Sequence, residues 1–123
     1  MRFVTWNCCG GFSLKYPHLR DLDFDVAVVC ECGPFEAGLA DSREVTSVLQ
    51  RAADHPRYTK HIGVLARDPW HADHLPARPD QPWLLPVRIS GPLDFTVFAF
   101  WALDRDLANG LYYTAQLQRV IQD

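Results

Sequence analysis

The stretch Asp25-Val26-Ala27-Val28-Val29-Cys30-Glu31 decides how this chain is read. Four consecutive apolar residues, three of them β-branched, followed by Gly33-Pro34, describe a short buried strand rather than a helix. Arg2-Phe3-Val4-Thr5-Trp6-Asn7 has the same character and leads into Cys8-Cys9-Gly10-Gly11. Each strand closes on one polar residue, Asn7 or Glu31. In open α/β sheets, polar groups at the carboxyl ends of buried strands are where ligands bind.

Between these stretches, Leu14, Leu19 and Leu22, with Tyr16, give the spacing of a short amphipathic helix over Leu14–Asp23, with Pro17 in its first turn. Strand, helix and strand in so few residues predict a compact crossover unit rather than a hairpin. Asp41 as N-cap, Glu44 three residues on, and the stripe Val45, Val48, Leu49 and Ala52 predict a second helix, stopped by Pro56. Tyr58–Arg67 reads as a strand. Asp68–Gln81, with Pro69, Pro76 and Pro79, reads as a long loop. Trp83–Ser90 and Phe95–Leu103 flank the turn residues Gly91-Pro92-Leu93-Asp94 and predict an antiparallel hairpin. Leu107, Leu111, Ala115, Leu117 and Ile121 place a closing helix over Asp106–Gln122.

The composition fits one globular domain over residues 1–123: 48% hydrophobic, 22% charged, net charge −3. A mildly acidic chain lacks the electrostatic footprint of a non-specific nucleic-acid binder, yet an enzyme that meets phosphate through a metal remains compatible. No apolar run approaches bilayer length and no signal segment precedes the first strand, so the expectation is a cytoplasmic protein without a membrane partner. There, four cysteines are expected as free thiols. Cys8, Cys9, Cys30 and Cys32 gather at the two strand ends, but their spacing does not match the paired ligands of a structural zinc site, and small buried thiols are the expectation.

At Trp6-Asn7 and Cys30-Glu31 the chain resembles the endonuclease/exonuclease/phosphatase superfamily. The Leu19-Arg20-Asp21-Leu22 helix, the strand His61-Ile62-Gly63-Val64-Leu65-Ala66-Arg67, and the later pair around Leu85–Ile89 and Phe95–Trp101 follow that family's order. The resemblance implies half of a four-layer α/β/β/α sandwich, a mixed and mostly antiparallel sheet arrangement flanked by helices. It implies hydrolysis of a phosphoester, in nucleic acid, inositol phosphate or another carrier, with Mg²⁺ or Mn²⁺. Asn7 and Glu31 match the family's catalytic and metal positions: Glu31 would ligate the ion, and Asn7 would hold metal-bound water or a phosphate oxygen.

The family's Gly-Asp-x-Asn and closing Ser-Asp-His motifs do not occur in order, and Trp101 stands where many members have a strand-end His or Tyr. The expectation is a truncated domain, weakly active or inactive alone. The competing expectation is a non-catalytic half-domain that assembles with itself or a complementary second half through an uncovered sheet face. Ala72-Asp73-His74 imitates Ser-Asp-His but falls in the expected loop. The residue-level alternatives are structural. Glu31 would pair with an arginine such as Arg2 or Arg67, Asn7 would bond its own turn, and Trp101 and Tyr112 would pack in the core.

Overall fold

Strand β1 (Phe3–Asn7) and strand β2 (Val26–Cys32) lie parallel, Phe3 beside Val26 and Asn7 beside Cys30, joined across helix α1 (Phe12–Asp21). The computed structural model describes residues 1–34, 44–55, 58–102, 118 and 121–122. The order continues with β3 (Val45–His55), β4 (Tyr58–Arg67), β5 (His71–His74), β6 (Leu84–Ser90) and β7 (Phe95–Phe100). The first sheet runs β1-β2-β4-β3, with β2, β4 and β3 antiparallel; the second is the antiparallel β5-β6-β7. The chain is therefore a mixed α/β fold dominated by strand, with the crossover where the sequence placed it. The helix expected over Asp106–Gln122 lies almost wholly outside the described residues, with Gln118, Ile121 and Gln122 helical.

The two sheets pack face to face. Val26, Val28, Val48, Ile62, Val64 and Ala66 of the first meet Ala72, Leu85, Val87, Ile89, Val97 and Ala99 of the second. On the other face of the first sheet, Phe12, Tyr16 and Leu19 of α1 cover Ala27, Val29 and Leu65. Strand β2 is consequently buried on both sides, which is why its sequence shows no polar alternation. Each fully buried aliphatic side chain contributes roughly 1.5–3 kcal/mol, and these two apolar layers hold the fold together.

Helix α1 differs from its sequence reading. It begins at Phe12, after Gly11 in a left-handed conformation (φ 64°), so Pro17 is interior rather than in the first turn. Phe12, Tyr16 and Leu19 form the buried stripe, while Leu14 is 84% and Leu22 51% exposed. The true stripe starts two residues earlier, on an aromatic.

Residues 45–52 are a strand, not the expected helix; Asp41–Arg43 lie outside the described residues. The stripe Val45, Val48, Leu49, Ala52 is real as burial but divides between two faces. Val48 and Ala52 enter the inter-sheet core, and Val45 and Leu49 pack on the α1 side. Thr46 and Gln50, which look like the polar face of a helix, point toward the second sheet and hydrogen-bond to it. Ala72 N–H donates to Thr46 Oγ1 (2.8 Å), and Gln50 Nε2 donates to the carbonyls of Pro82 (2.8 Å) and Leu84 (2.9 Å). A strand covered on both faces can carry a helical period by coincidence.

The expected loop Asp68–Gln81 contains β5, paired with β6 from His71↔Ser90 to His74↔Val87. Ala72 enters the core, while His71, Asp73 and His74 stay exposed, so the Ala-Asp-His triplet lies on an edge strand and not in a loop. The β6–β7 turn needs its glycine: at Gly91 a Cβ would sit 2.8 Å from the Pro69 carbonyl oxygen. Among the described residues no helix is long and apolar enough to cross a membrane.

Replacing Ile62, fully buried between the sheets, with alanine is expected to lower unfolding free energy by about 2–5 kcal/mol. Leu14→Ala, on the exposed side of α1, is expected to stay within about 0.5 kcal/mol. Urea unfolding of both variants checks the assignment of the helix face.

Candidate functional site

The parallel register of β1 and β2 brings Asn7 and Glu31 to one rim of the first sheet, and their side chains meet: Asn7 Nδ2 donates to Glu31 Oε1 at 3.1 Å. Local backbone geometry aims both groups. The β2–β4 ladder shifts register between Cys30 and Cys32, a β-bulge, and Glu31 sits in it with φ 55°. A non-glycine residue in the left-handed region costs energy, and bulges serve to re-aim side chains. The bulge also separates neighbours that a regular strand would keep on one face: Cys30 packs toward the second sheet, Cys32 toward α1.

The loop after β1 clamps this turn. Cys9, Gly10 and Gly11 are all left-handed (φ 51°, 74° and 64°). Gly10 N–H donates to the Glu31 carbonyl at 2.8 Å, and Cys9 N–H donates to Asn7 Oδ1 at 3.1 Å. With its oxygen held by its own turn, Asn7 presents its amide nitrogen to Glu31. Asn7 thus bonds its own turn and Glu31 at once.

The cationic partner of Glu31 is Lys60, not an arginine. Lys60 Nζ lies 2.6 Å from Glu31 Oε2, with the side chains only 26% and 19% exposed. Arg2 instead donates to the Leu22 carbonyl, and Arg67 pairs with Asp23 at 3.1 Å and lies over the Phe24 ring. The Lys60 hydrogen bond holds the Glu31 carboxyl below its ordinary range, burial opposes this, and the Asn7 amide assists. Glu31 is thus an anion with both oxygens engaged. Lys60 also lies 5.9 Å from the centre of the half-buried Trp101 ring. The chain's other lysine, Lys15, donates to the Cys8 carbonyl on the same rim. Two lysines in 123 residues, both reaching these strand ends, were a countable signal; pairing Lys60 with Glu31 required the β2–β4 register.

The other polar and aromatic groups disperse. His71 Nε2 pairs with Asp73 Oδ1 at 3.2 Å on β5, an outer edge of the second sheet. Trp83 is fully buried, and Trp70 packs edge-on against Phe95 with ring centres 6.0 Å apart. Tyr112 and Tyr113 lie outside the described residues. Cys8 and Cys32 are buried, Cys30 is half-buried and Cys9 exposed, all as free thiols. Among the described residues no group of three or more His, Cys, Asp or Glu side chains is placed to hold a metal. His61, beside Lys60, is held below its ordinary pKa by burial and is neutral at pH 7.

Two outcomes follow from this geometry. Burial pushes the Cys30 thiol to about 11 and the Cys32 thiol to about 12. A disulfide-exchange reagent at pH 8 is therefore expected to label Cys9 rapidly and Cys30 and Cys32 only after unfolding. Because the Glu31 pKa is depressed, its pairing stabilises the fold above the ordinary value of 4.5 and is lost as pH falls below it. Lys60→Met is expected to cost about 1 kcal/mol at pH 7, with the gap from wild type closing under acid, read by denaturant titration at several pH values. Compared with models of known families and with curated proteins, the chain matches none.

Proposed function

We propose that the Asn7–Glu31–Lys60 rim is the phosphate- and metal-binding end of a phosphoester site. On this reading the chain is a Mg²⁺-dependent phosphodiesterase-like or endonuclease-like hydrolase, with binding stronger than turnover in this chain alone. The observation that carries the reading is Glu31. A left-handed residue in a bulge turns an ionised carboxylate out of a buried strand and onto an amide 3.1 Å away, at the carboxyl ends of two parallel strands. Backbone strain of this kind concentrates at functional sites.

The donor chemistry suits a hard cation that keeps most of its water. Mg²⁺, or Mn²⁺ in its place, is often bound by one or two carboxylates with substrate phosphate supplying further oxygens. Glu31 would be the direct ligand, and Asn7 would hold metal-bound water or a phosphate oxygen. A bound ion would polarise the phosphoryl oxygen and neutralise developing charge. Lys60 holds the place of that cation: its ammonium, 2.6 Å from Oε2, neutralises the carboxylate and competes with a metal. Displaced, it is itself a point-charge donor to phosphate. The stacked sheets with a helix outside one of them support the half-sandwich arrangement, with a fourth layer on the far side of the second sheet.

Mn²⁺ binding followed by water-proton relaxation tests the assignment. Glu31→Gln is expected to abolish binding, and Lys60→Met to tighten it about tenfold, the equivalent of about 1.4 kcal/mol. Hydrolysis of an activated phosphodiester with Mg²⁺ or Mn²⁺ is expected to be weak in wild type and lost in Glu31→Gln. Mn²⁺ affinity unchanged by Glu31→Gln would remove the carboxylate, and with it this reading.

A further inference from the structure

The first sheet has four strands and the second three, and they do not end together on the β1 side. Val97 and Ala99 of β7 share a cluster with Val28 of β2, and the Cys30 thiol points at the Phe100 carbonyl, 4.0 Å away. Strand β7 therefore lies across β2, and β1 projects one strand further. The result is a step: β1 stands proud in one sheet, and a notch opens beside β7 in the other. This groove, of about 430 Å³, is walled by Phe3, Thr5 and Asn7 of β1 and by β7. Phe3 is 42% and Phe98 65% exposed. On the first sheet, the side of β1 that faces the notch, with Phe3 and Thr5 exposed, is left open among the described residues.

Both edges here carry backbone groups with no strand beside them among the described residues. The Arg2 carbonyl accepts from Asp25 and Val26, and Cys8 N–H donates to Cys30, so the even-numbered residues of β1 turn to β2. Phe3 and Thr5 then direct N–H and C=O outward. In β7, Trp101 N–H donates to Trp83, so odd-numbered residues face β6 and Thr96 and Phe98 face the notch.

Charge separates the two flanks. Neither Phe3–Asn7 nor Phe95–Phe100 contains a charged residue. The opposite edges do: β3 carries Arg51, and β5 carries His71, Asp73 and His74. Native sheets blunt exposed edges with charge, bulges or proline, and a long apolar edge left without them is one that pairs.

We propose that this flank joins two copies of the chain into a two-fold dimer, with β1 of each copy entering the notch beside β7 of the other. A two-fold axis midway between the sheets and along the strands exchanges the layers, so the same step supplies both tongue and notch, as an isologous contact requires. Each first sheet then continues into its partner's second sheet, and Phe3 and Thr5 become covered by the partner's β1. A flank about 20 Å long and about 30 Å deep, from strand rise and layer spacing, buries on the order of 1,200 Å² over both copies, the lower limit for a stable pair.

Sedimentation velocity up to on the order of 100 µM tests this, a range suited to an interface at that lower limit. Wild type is expected to convert with concentration to twice the 14.0 kDa chain mass. Thr5→Pro removes an outward donor and leaves the β1–β2 ladder, and Phe98→Lys places a charge on the β7 edge. Both are expected to stay folded by circular dichroism and to weaken association at least about 100-fold. Asp73→Ala, on the opposite flank, is expected to dimerise as wild type. A monomeric wild type throughout, a folded edge variant that still dimerises, or loss of the dimer in Asp73→Ala would each overturn the proposal.

Discussion

Strand β2 is paired on both edges and covered on both faces, and most of the molecule depends on that burial. Val26, Ala27 and Val29 are fully excluded from water, with Val28 nearly so. Helix α1 and the second sheet reach each other only through the first sheet, in which β2 is the central contact of both apolar clusters. A strand in this position cannot end on a charged residue without leaving the regular ladder, because an unpaired carboxylate in the core would be too costly. The bulge at Glu31 is the physical answer: one residue in a left-handed conformation brings the carboxylate to the rim, where Lys60 neutralises it and Asn7 donates to it.

That arrangement ties chemistry to stability. The Glu31 backbone carbonyl is held by Gly10, and its carboxylate by Asn7 and Lys60, so one residue fixes the β1–α1 turn, the end of β2 and the start of β4. The same residue is the candidate metal ligand. A cation arriving at Glu31 would have to displace an ammonium already within a charge-assisted hydrogen bond, which sets its affinity lower than the carboxylate alone would give. On the proposed reading, lysine in this place would make the rim a competition between an internal and an external cation.

The edges divide the surface in the same economical way. Charges on β3 and β5 protect one flank, while β1 and β7 present a stepped, uncharged pair of edges on the other. The rim and this flank meet at Asn7, the last residue of β1, which lines the groove and bonds Glu31.

The residue pattern alone was enough to place the β1–α1–β2 crossover, the β4 strand and the β6–β7 hairpin, because unbroken apolar runs bounded by glycine and proline have few other solutions. It also marked Asn7 and Glu31 as strand-end groups. It misread Val45–Ala52 as helix, since four apolar residues spaced for one helical face serve equally well as two pairs on opposite faces of a doubly covered strand. It passed over β5 because a four-residue edge strand with a single buried side chain, Ala72, has no period to detect. That Lys60 is the partner of Glu31 and that β1 overhangs the second sheet can be read only from the folded chain. Both are matters of register between segments distant in the chain, and register is set by how two sheets fill the space between them.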